Sequence, residues 1–418
     1  VYPWSGSGFG AKYANPSTLP TGNGRKPAFS PNGSAIAVAH VDSPYITAYP
    51  WSGSGFGTKY ANPSTLPTGT GYSVAFSTIG VPQTAYNEYV AVSHSGSPCV
   101  SAYPWSGSGF GTKYADPSTL PANGGYSVSF SLDGSAIAVA AFDSPYVLAY
   151  PWSGSGFGTK FANPSTLPAA YCLDVAFSPD GSAIAVAHSG SPYVSVYPWS
   201  GSGFGTKFAN PSTLPAGDGN GVAFSPDGSA IAVTHPTTPF VTAYPWSGSG
   251  FGTKFANPST LPTNSGYGVS FSPDSSAIAV GHSTTPFVTA YPWSGSGFGT
   301  KFANPSTLPT GTGNGVYFSP DGSALAVAHS ITPFVTAYPW SGSGFGTKYA
   351  SPTPTLPANT GFDVSFSPDG SAIAVGHGDS PYVTAYPWSG SGFTTKYANP
   401  STLPAGSCFG VAFTRIAI

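Results

Sequence analysis

The chain has 418 residues, of which only 6% are charged, with 12 Lys and Arg against 14 Asp and Glu and a formal net charge of −2. This argues against nucleic acid as a partner, because affinity for a phosphate backbone comes from many clustered basic side chains that release counterions. No apolar run reaches the roughly 18 to 20 residues of a membrane-spanning helix, so membrane insertion is not expected, and no signal peptide is recognisable. The chain contains no Met, which indicates that Val1 is not the translational start.

The sequence is one unit repeated nine times. Tyr-Pro-Trp-Ser recurs from Trp4 to Trp388 at a separation of 47 residues, with two exceptions of 54 and 48. A period of 40 to 50 residues, with turn signals every ten residues or so and no helical stretch, predicts a closed ring of small antiparallel sheets. We therefore predict an all-β protein with a single domain over residues 1–418, a nine-bladed β-propeller.

One unit, residues 222–262, shows the four strands predicted for each blade. Residues 222–225 alternate large and small side chains as an inner strand does, and Pro-Asp-Gly then supplies a tight turn. Residues 230–235 alternate again, with large side chains on one face and small ones on the other, and residues 240–244 form a third strand. Residues 251–257 are predicted as the outermost strand, where Lys discourages edge-to-edge pairing.

The two ends of the chain complement each other. The chain opens inside a third strand, residues 1–4, and closes after a ninth inner strand, residues 410–413, followed by residues 415–418. We therefore predict that the last blade is closed by strands from both termini, which ties the ring together. The separation of 54 residues comes from residues 78–88, which replace the short Pro-Asp-Gly turn and predict one longer turn on one blade.

The repeat resembles a known family. Phe-Ser-Pro-Asp-Gly-Ser at 366–371, followed by an Ala-Val strand and by Tyr-Val-Thr at 382–384, resembles the Trp-Asp and Tyr-Val-Thr-Asn repeat propellers over essentially the whole chain. It is also similar to repetitive propeller proteins of environmental bacteriophages. The chain departs from the first family in having Trp-Ser for Trp-Asp and no Gly-His pair in its inter-blade loops. The resemblance implies a propeller and, by association, an interaction platform.

Histidines occupy one repeated position, with Ala141 in its place once. Equivalent positions on neighbouring blades should lie roughly 10 Å or more apart, whereas metal ligands lie about 2 Å from their ion, so these histidines cannot share a metal. We expect each to pack on the Ile/Val face and to hydrogen-bond within its own blade, with individual pH sensing as the alternative. They are His40, His94, His188, His235, His282, His329 and His377.

Nothing in the repeat pattern indicates catalysis. Cys99, Cys172 and Cys408 are an odd number of cysteines in variable parts of the repeat, which predicts unpaired thiols and no metal spacing. The Gly-Ser-Gly-Phe-Gly stretch lacks the Gly-Lys-Ser/Thr ending and the helix of a phosphate loop. No pair of carboxylates recurs, and no Ser or Cys has a predictable base. We therefore predict a protein that is not an enzyme and needs no cofactor or metal.

Differences among the nine copies point to a binding face. The copies are nearly identical in the turns between strands one and two and between strands three and four, and they differ in the other two connections, which lie at the same end of the strands. Drift of the loops is the alternative explanation. The candidate ligand-binding residues stand four positions before each inner-strand Phe: Arg25, Tyr72, Tyr126, Leu173, Asn220, Tyr267, Asn314, Phe362 and Phe409.

A face rich in aromatic and small polar residues is typical of binding surfaces, and many weak sites on one ring gain by avidity. We therefore predict a multivalent, lectin-like adhesin that recognises a glycan or a protein on a cell or virion surface and is itself extracellular or part of a virion. The alternative is a structural component of a virion or other assembly with no small-ligand site.

Overall fold

The structure, a computed structural model, describes residues 11–29, 35–51, 55–62, 66, 86–107 and 109–417. The chain divides into two compact units, Val1–Ala85 and Tyr86–Ile418. The described residues form strands and turns and contain no helix, so none of these segments is a helix that could cross a bilayer. The single domain over residues 1–418 stays a prediction.

The described strands form three-stranded antiparallel sheets. In the first unit the sheet is β1 Gly24–Phe29, β2 Ala35–His40 and β3 Ile46–Pro50. In the second unit the strands are β4 Tyr86–His94, β5 Val100–Trp105, β6 Gly125–Phe130, β7 Ala136–Ala141, β8 Val147–Pro151, β9 Cys172–Phe177, β10 Ala183–His188, β11 Val194–Pro198, β12 Gly221–Phe224, β13 Ala230–Thr234, β14 Val241–Pro245, β15 Gly266–Phe271, β16 Ala277–His282, β17 Val288–Pro292, β18 Gly313–Phe318, β19 Ala324–His329, β20 Val335–Pro339, β21 Gly361–Phe366, β22 Ala372–His377, β23 Val383–Pro387 and β24 Cys408–Ala417.

The second unit is a closed cycle of seven sheets. Six of them are made of consecutive strands, from β6-β7-β8 to β21-β22-β23, and the seventh joins β24 to β4 and β5. The inner strands contact one another in the order β6, β9, β12, β15, β18, β21 and β24, and β24 contacts β6 again. Radial sheets around a closed set of inner strands are the arrangement of a β-propeller.

The nine-bladed count and the predicted closure are not confirmed. The C-terminal strand β24 pairs with β4, from Cys408 opposite His94 to Ala417 opposite Tyr86, and this pairing completes the cycle of seven. The inner strands of the repeats are so similar that the last one can pair with the middle strand of more than one repeat. Residues 1–4, which were expected to complete the last blade, lie outside the described residues, as does the second predicted inner strand.

The core lies between adjacent sheets. On β10 the alternation of the strand puts Ala183, Ala185 and Ala187 on one face, and this face packs against Val222 and Ile231 of the next sheet. Ile184 and Val186, on the opposite face of β10, pack against alanines of the preceding sheet. The predicted alternation of a small and a large face is therefore confirmed, and it explains how neighbouring sheets approach closely.

The predicted fourth strand of each blade is not a strand in the described repeats. In the unit that contains β14, an isolated bridge joins Trp246 to Phe251, and only two backbone bonds follow, from Gly252 N to Pro245 O (2.8 Å) and from Phe255 N to Ala243 O (2.9 Å). The outer segment therefore lies along the third strand at separate points, because its Gly and Pro residues weaken a regular ladder.

The outer lysines and the turn carboxylates have local partners. Lys160 Nζ donates to Asn163 Oδ1 (2.6 Å) and to the carbonyl of Phe161 (2.8 Å). In the Pro-Asp-Gly turn, Asp180 Oδ1 accepts hydrogen bonds from Ser178 Oγ (2.5 Å) and Ser182 N (3.0 Å). These bonds lower the pKa of the Asp180 carboxyl, so the turn is held by an ionised aspartate.

The repeated histidines behave as expected from the sequence. Each is fully buried, and its Nε2 lies 2.8 to 3.0 Å from a Ser or Thr hydroxyl seven residues later in the same sheet. Burial lowers the pKa of six of them to about 4, below the range in which a physiological pH sensor titrates. The three cysteines are buried and free.

Candidate active site in the central cavity

The seven inner strands of the second unit enclose a cavity of about 980 Å³. Residues from both ends of these strands line it, so the cavity follows the axis of the sheet cycle. Its charged lining side chains are Asp174, Asp363 and Arg415. Few polar groups on a mostly apolar wall are typical of a small-molecule site.

One rim of the cavity is formed by the residues that the sequence singled out. Each of the seven inner strands contributes one of them: Tyr126, Leu173, Asn220, Tyr267, Asn314, Phe362 and Phe409. Arg25 lies on β1 in the other unit, and Tyr72 lies outside the described residues. The structure thus gathers seven of the nine candidates around a single cavity, although their role in binding stays a prediction.

The rim has an aromatic side. Phe362 and Phe409 have ring centroids 4.8 Å apart, and Phe409 stacks on Tyr126 at 5.3 Å. Tyr126 in turn contacts Phe142, which stacks on Tyr171 at 5.1 Å. We call Phe362, Phe409, Tyr126, Phe142 and Tyr171 the aromatic arc. It joins rings from the varied connections of several repeats into one continuous apolar surface.

The other side of the rim is more polar. Asn220 Nδ2 donates to the carbonyl of Gly266 (2.7 Å), and Asn314 Nδ2 donates to the carbonyl of Gly361 (2.8 Å). Each amide therefore ties its strand to the next strand in the cycle. Tyr267 stands between the two amides in chain order and is 37% exposed. The rim therefore presents hydrogen-bonding side chains on one side and aromatic rings on the other.

Two carboxyl groups line the cavity one residue further along the inner strands, Asp174 on β9 and Asp363 on β21. Asp174 accepts three hydrogen bonds, from Ser127 Oγ (2.7 Å), Val175 N (2.9 Å) and Val222 N (2.8 Å). Asp363 accepts one from Val411 N (2.9 Å). Each carboxyl accepts from the N–H that follows a glycine of the next inner strand, Gly221 in the case of Asp174 and Gly410 in the case of Asp363.

Both carboxyl groups have raised pKa values. Burial is the main cause for Asp174, whose pKa rises to about 6 in spite of the donors that stabilise its ionised form. Burial also raises the pKa of Asp363 to about 7, and the negative charge of Asp174 adds to this rise. Asp363 accepts fewer hydrogen bonds than Asp174, so its ionised form is stabilised less and its pKa lies higher.

Two further residues extend the polar lining. Tyr317, on β18, is 43% exposed although its strand is at the centre of the unit, and it lines the cavity. Arg415, on β24, lines the opposite end, at a position where five of the six other inner strands have Pro. No group of three or more His, Cys, Asp or Glu in the described part of the chain is arranged to hold a metal ion.

Sequence reasoning missed Asp174, Asp363 and Tyr317 as site residues. Asp174 and Asp363 were visible as varied positions, but they are 189 positions apart in the chain, so nothing local showed that they form a pair. Tyr317 had a clearer signal: the residue directly before the inner-strand Phe is Ala or Ser in every other repeat.

No protein-family model matches the chain, and no curated protein matches its sequence. Solved structures do match its fold. A putative 6-phosphogluconolactonase from Bacteroides fragilis gives a TM-score of 0.64 at 13% identity, over 79% of this chain and 99% of that one. A putative 6-phosphogluconolactonase from Bacteroides uniformis gives 0.62 at 15% identity, over 78% and 99%. The periplasmic gluconolactonase of Pseudomonas aeruginosa gives 0.59 at 15% identity, over 78% and 99%.

At these identities the likeness shows the fold, a β-propeller similar to that of lactonases. The expected membership in the Trp-Asp or Tyr-Val-Thr-Asn repeat families is therefore wrong, since the matching structures are 6-phosphogluconolactonase-like. The same neighbours, which are named as enzymes, contradict the predictions of a non-enzyme, of a lectin-like adhesin and of a virion or structural component. The sequence-based predictions treated the varied residues as an open binding face. In the second unit these residues instead converge on one cavity, which also holds two carboxyl groups with raised pKa values.

Proposed function

We propose that this protein is a lactonase, which hydrolyses the cyclic ester of a sugar acid in the central cavity. The observation that carries the proposal is the Asp363 carboxyl, whose pKa of about 7 places a proton acceptor at neutral pH inside the cavity of a lactonase-like propeller. A general base with a pKa near the operating pH is the most effective one.

The chemistry needs one base and one water molecule. Ionised Asp363 takes a proton from water as the water oxygen attacks the lactone carbonyl carbon. The carbon–ring oxygen bond then breaks, and protonated Asp363 returns the proton to the departing oxygen, which becomes a hydroxyl group. The product is the open-chain hydroxy acid. Burial is the main cause of the raised pKa of Asp363, and the charge of Asp174, which is held by three donors, adds to it.

The rim supports a ring-shaped substrate. The three members of the aromatic arc that line the cavity, Tyr126, Phe362 and Phe409, offer apolar faces for the C–H side of a sugar ring. The polar groups of the same rim come from Asn220, Asn314 and Tyr267. The predicted ligand-binding residues of the second unit thus become proposed substrate contacts. We also propose a location outside the cytoplasm, periplasmic or secreted, which is supported by a neighbour named as periplasmic.

The proposal is tested by lactone hydrolysis. We expect the purified chain to accelerate proton release from glucono-δ-lactone or its 6-phosphate above the spontaneous rate. Asp363→Asn should lower kcat/KM by about 10²- to 10⁴-fold, the usual contribution of a general base. Asp321→Asn makes the same chemical change in an exposed turn and should leave the rate unchanged. Absence of acceleration with both lactones, or equal rates for Asp363→Asn and wild type, would refute the proposal.

A further inference from the structure

The position directly before the inner-strand Phe is occupied by Ala or Ser in every repeat except one. Its nine residues are Ala28, Ala75, Ser129, Ala176, Ala223, Ser270, Tyr317, Ser365 and Ala412. Small side chains suit this position, because in the second unit it lines the cavity. Tyr317 is the one large residue at this position. It departs from the repeat in the lining of the cavity, where a bound molecule would contact it.

The Tyr317 side chain is available to a ligand. It exposes 43% of its surface and lines the cavity. Its hydroxyl makes no hydrogen bond to any residue that the structure describes. The conserved tyrosines of the third strands differ in this respect: Tyr338, for example, is fully buried and donates to the carbonyl of Thr307 (2.8 Å). Packing and a hydrogen bond thus explain why Tyr338 is a tyrosine, whereas no contact among the described residues explains the hydroxyl of Tyr317.

Tyr317 is placed beside the proposed base. A Cβ atom on Gly315 would lie 2.8 Å from Asp363 Oδ1, so the Asp363 carboxyl lies over Gly315 of the neighbouring strand β18. Tyr317 is two residues further along β18 and therefore on the same face, about 6.5 to 7 Å away along the strand. The Asp363 carboxyl and the Tyr317 side chain thus belong to adjacent inner strands at the wall of the same cavity.

The two groups also interact electrostatically. Although 43% of the Tyr317 side chain is accessible to solvent, it lies in the wall of the cavity, where desolvation by the surrounding protein raises the pKa of its hydroxyl and the charge of Asp363 raises it further. A phenol with a raised pKa stays protonated at neutral pH, so it can donate a hydrogen bond but does not compete with Asp363 as a base.

We propose that Tyr317 is a catalytic residue of the lactonase reaction, whose hydroxyl donates a hydrogen bond to the carbonyl oxygen of the lactone. The inference rests on the proposed function and adds a second catalytic group to it. When water attacks and Asp363 accepts the proton, the carbonyl oxygen becomes an oxyanion, and the bond from Tyr317 strengthens. No proton leaves Tyr317, and the bond weakens again when the ring oxygen departs and the carboxyl product forms. Donors placed at a developing oxyanion stabilise the transition state.

The test compares Tyr317→Phe with wild type. The variant keeps the ring in the cavity and removes only the hydroxyl. We expect kcat to fall about 10²-fold, the order found for loss of one oxyanion donor, with KM within about threefold and the same inflection near pH 7 from Asp363. Binding of the corresponding non-hydrolysable lactam, measured by calorimetry, should weaken about tenfold, which a purely structural role of the hydroxyl would not cause.

Two further variants separate the possible outcomes. Tyr193→Phe is the matched control, because Phe240, Phe287 and Phe334 occupy the equivalent position in other repeats, and it should retain full activity. Tyr317→Ser, the residue of three other repeats, should fold and also lose activity. If wild type is active and Asp363→Asn is not, but Tyr317→Phe retains its kcat, the Tyr317 inference is overturned alone. If wild type hydrolyses no lactone, the proposed function and this inference are both overturned.

Discussion

At the scale of single residues, the buried histidines show that the repeat is built from matched pairs. Wherever the repeated position is His, the residue seven positions later is Ser or Thr, as in His188 and Ser195 (3.0 Å). The one described repeat with Ala at this position, Ala141, has Leu148 as the partner. The pair changes as a unit because a buried hydroxyl without its histidine would lose its hydrogen bond.

This pairing predicts a double-mutant cycle. Leu148→Thr alone should lower the free energy of unfolding by about 1 to 3 kcal/mol, because it buries a hydroxyl without a partner. Ala141→His alone should also destabilise, by overpacking against Leu148. The double variant should recover at least about 1 kcal/mol relative to the sum of the two. Chemical denaturation measures all four proteins, and strictly additive effects would contradict the pairing.

The two cavity carboxyl groups give a prediction about pH. A base works only when ionised, so lactonase activity should rise as pH passes upward through the pKa of Asp363, about 7. Asp174→Asn removes the like charge that, in addition to burial, raises this pKa, so the rise in activity should move to lower pH. The measurement is kcat/KM from pH 5 to 9 after subtraction of spontaneous hydrolysis. An unchanged or upward-shifted midpoint, with Asp321→Asn as the reference, would show that the carboxyl groups are not coupled.

At the scale of the elements, most strands could be read from the sequence. In the repeat analysed above, the strands predicted at 230–235 and 240–244 became β13 Ala230–Thr234 and β14 Val241–Pro245. The alternation of large and small side chains is a reliable signal in these strands because both faces of each strand are buried against neighbouring sheets. The outer segment was predicted as a strand from its place after the third strand and from its Lys. In the structure it makes only an isolated bridge and two backbone bonds to the third strand, and side chains supply its other contacts.

The outer segment contacts the next sheet through edge-to-face aromatic pairs. Phe161 meets Trp199 of the next sheet at 5.2 Å between ring centroids, nearly perpendicular, and Trp199 also contacts Phe177 and Phe204 of its own repeat. In other repeats the residue equivalent to Phe161 is Tyr, and Tyr114 also donates to the carbonyl of Gly154 in the next repeat (2.8 Å). One ring thus joins two neighbouring sheets.

The contact between Phe161 and Trp199 predicts opposite effects on stability for two substitutions of Phe161. Phe161→Ala should lower stability by about 2 kcal/mol, less than the 3 to 5 kcal/mol of a fully buried Phe because Phe161 is half-buried. Phe161→Tyr should be neutral or stabilising by up to about 1 kcal/mol, if its hydroxyl reaches the carbonyl of Gly201 as Tyr114 reaches Gly154. Thermal and chemical denaturation measure both. Equal destabilisation by Ala and Tyr would show that the ring contact is not what holds the segment.

At the scale of the whole molecule, the repeat was readable but the closure was not. Nine similar units predict a ring, yet nearly identical inner strands do not say which middle strand the last one joins. The signal lay in the exceptions: β4 has 9 residues where the other middle strands have 5 or 6, and β24 has 10. Their extra residues pair, with Arg415 opposite Glu88 and Ile416 opposite Asn87. The segment read as a longer turn, residues 78–88, thus ends in the strand that closes the cycle.

This closure predicts that residues 86–418 fold and function without the first unit. All strands of the seven-sheet cycle and every residue that lines the cavity lie after residue 85. Removing residues 1–85 should therefore change Tm by less than about 5 °C, the effect of one or two kcal/mol in a domain of this size, and should leave kcat/KM within about twofold. The measurements are calorimetry and lactone hydrolysis on the shortened and full chains.

The matched control removes the other end. A chain that stops at Phe413 lacks the four pairs from Thr414–Tyr89 to Ala417–Tyr86, which hold β24 on β4 beyond the length of the other inner strands. It should lose more stability than the deletion of 85 residues, although it lacks only five, because those five close the cycle and the first 85 do not. If instead residues 86–418 aggregate or lose activity while the chain ending at Phe413 stays intact, the first unit belongs to the working ring. The larger ring indicated by nine repeats would then be the functional form.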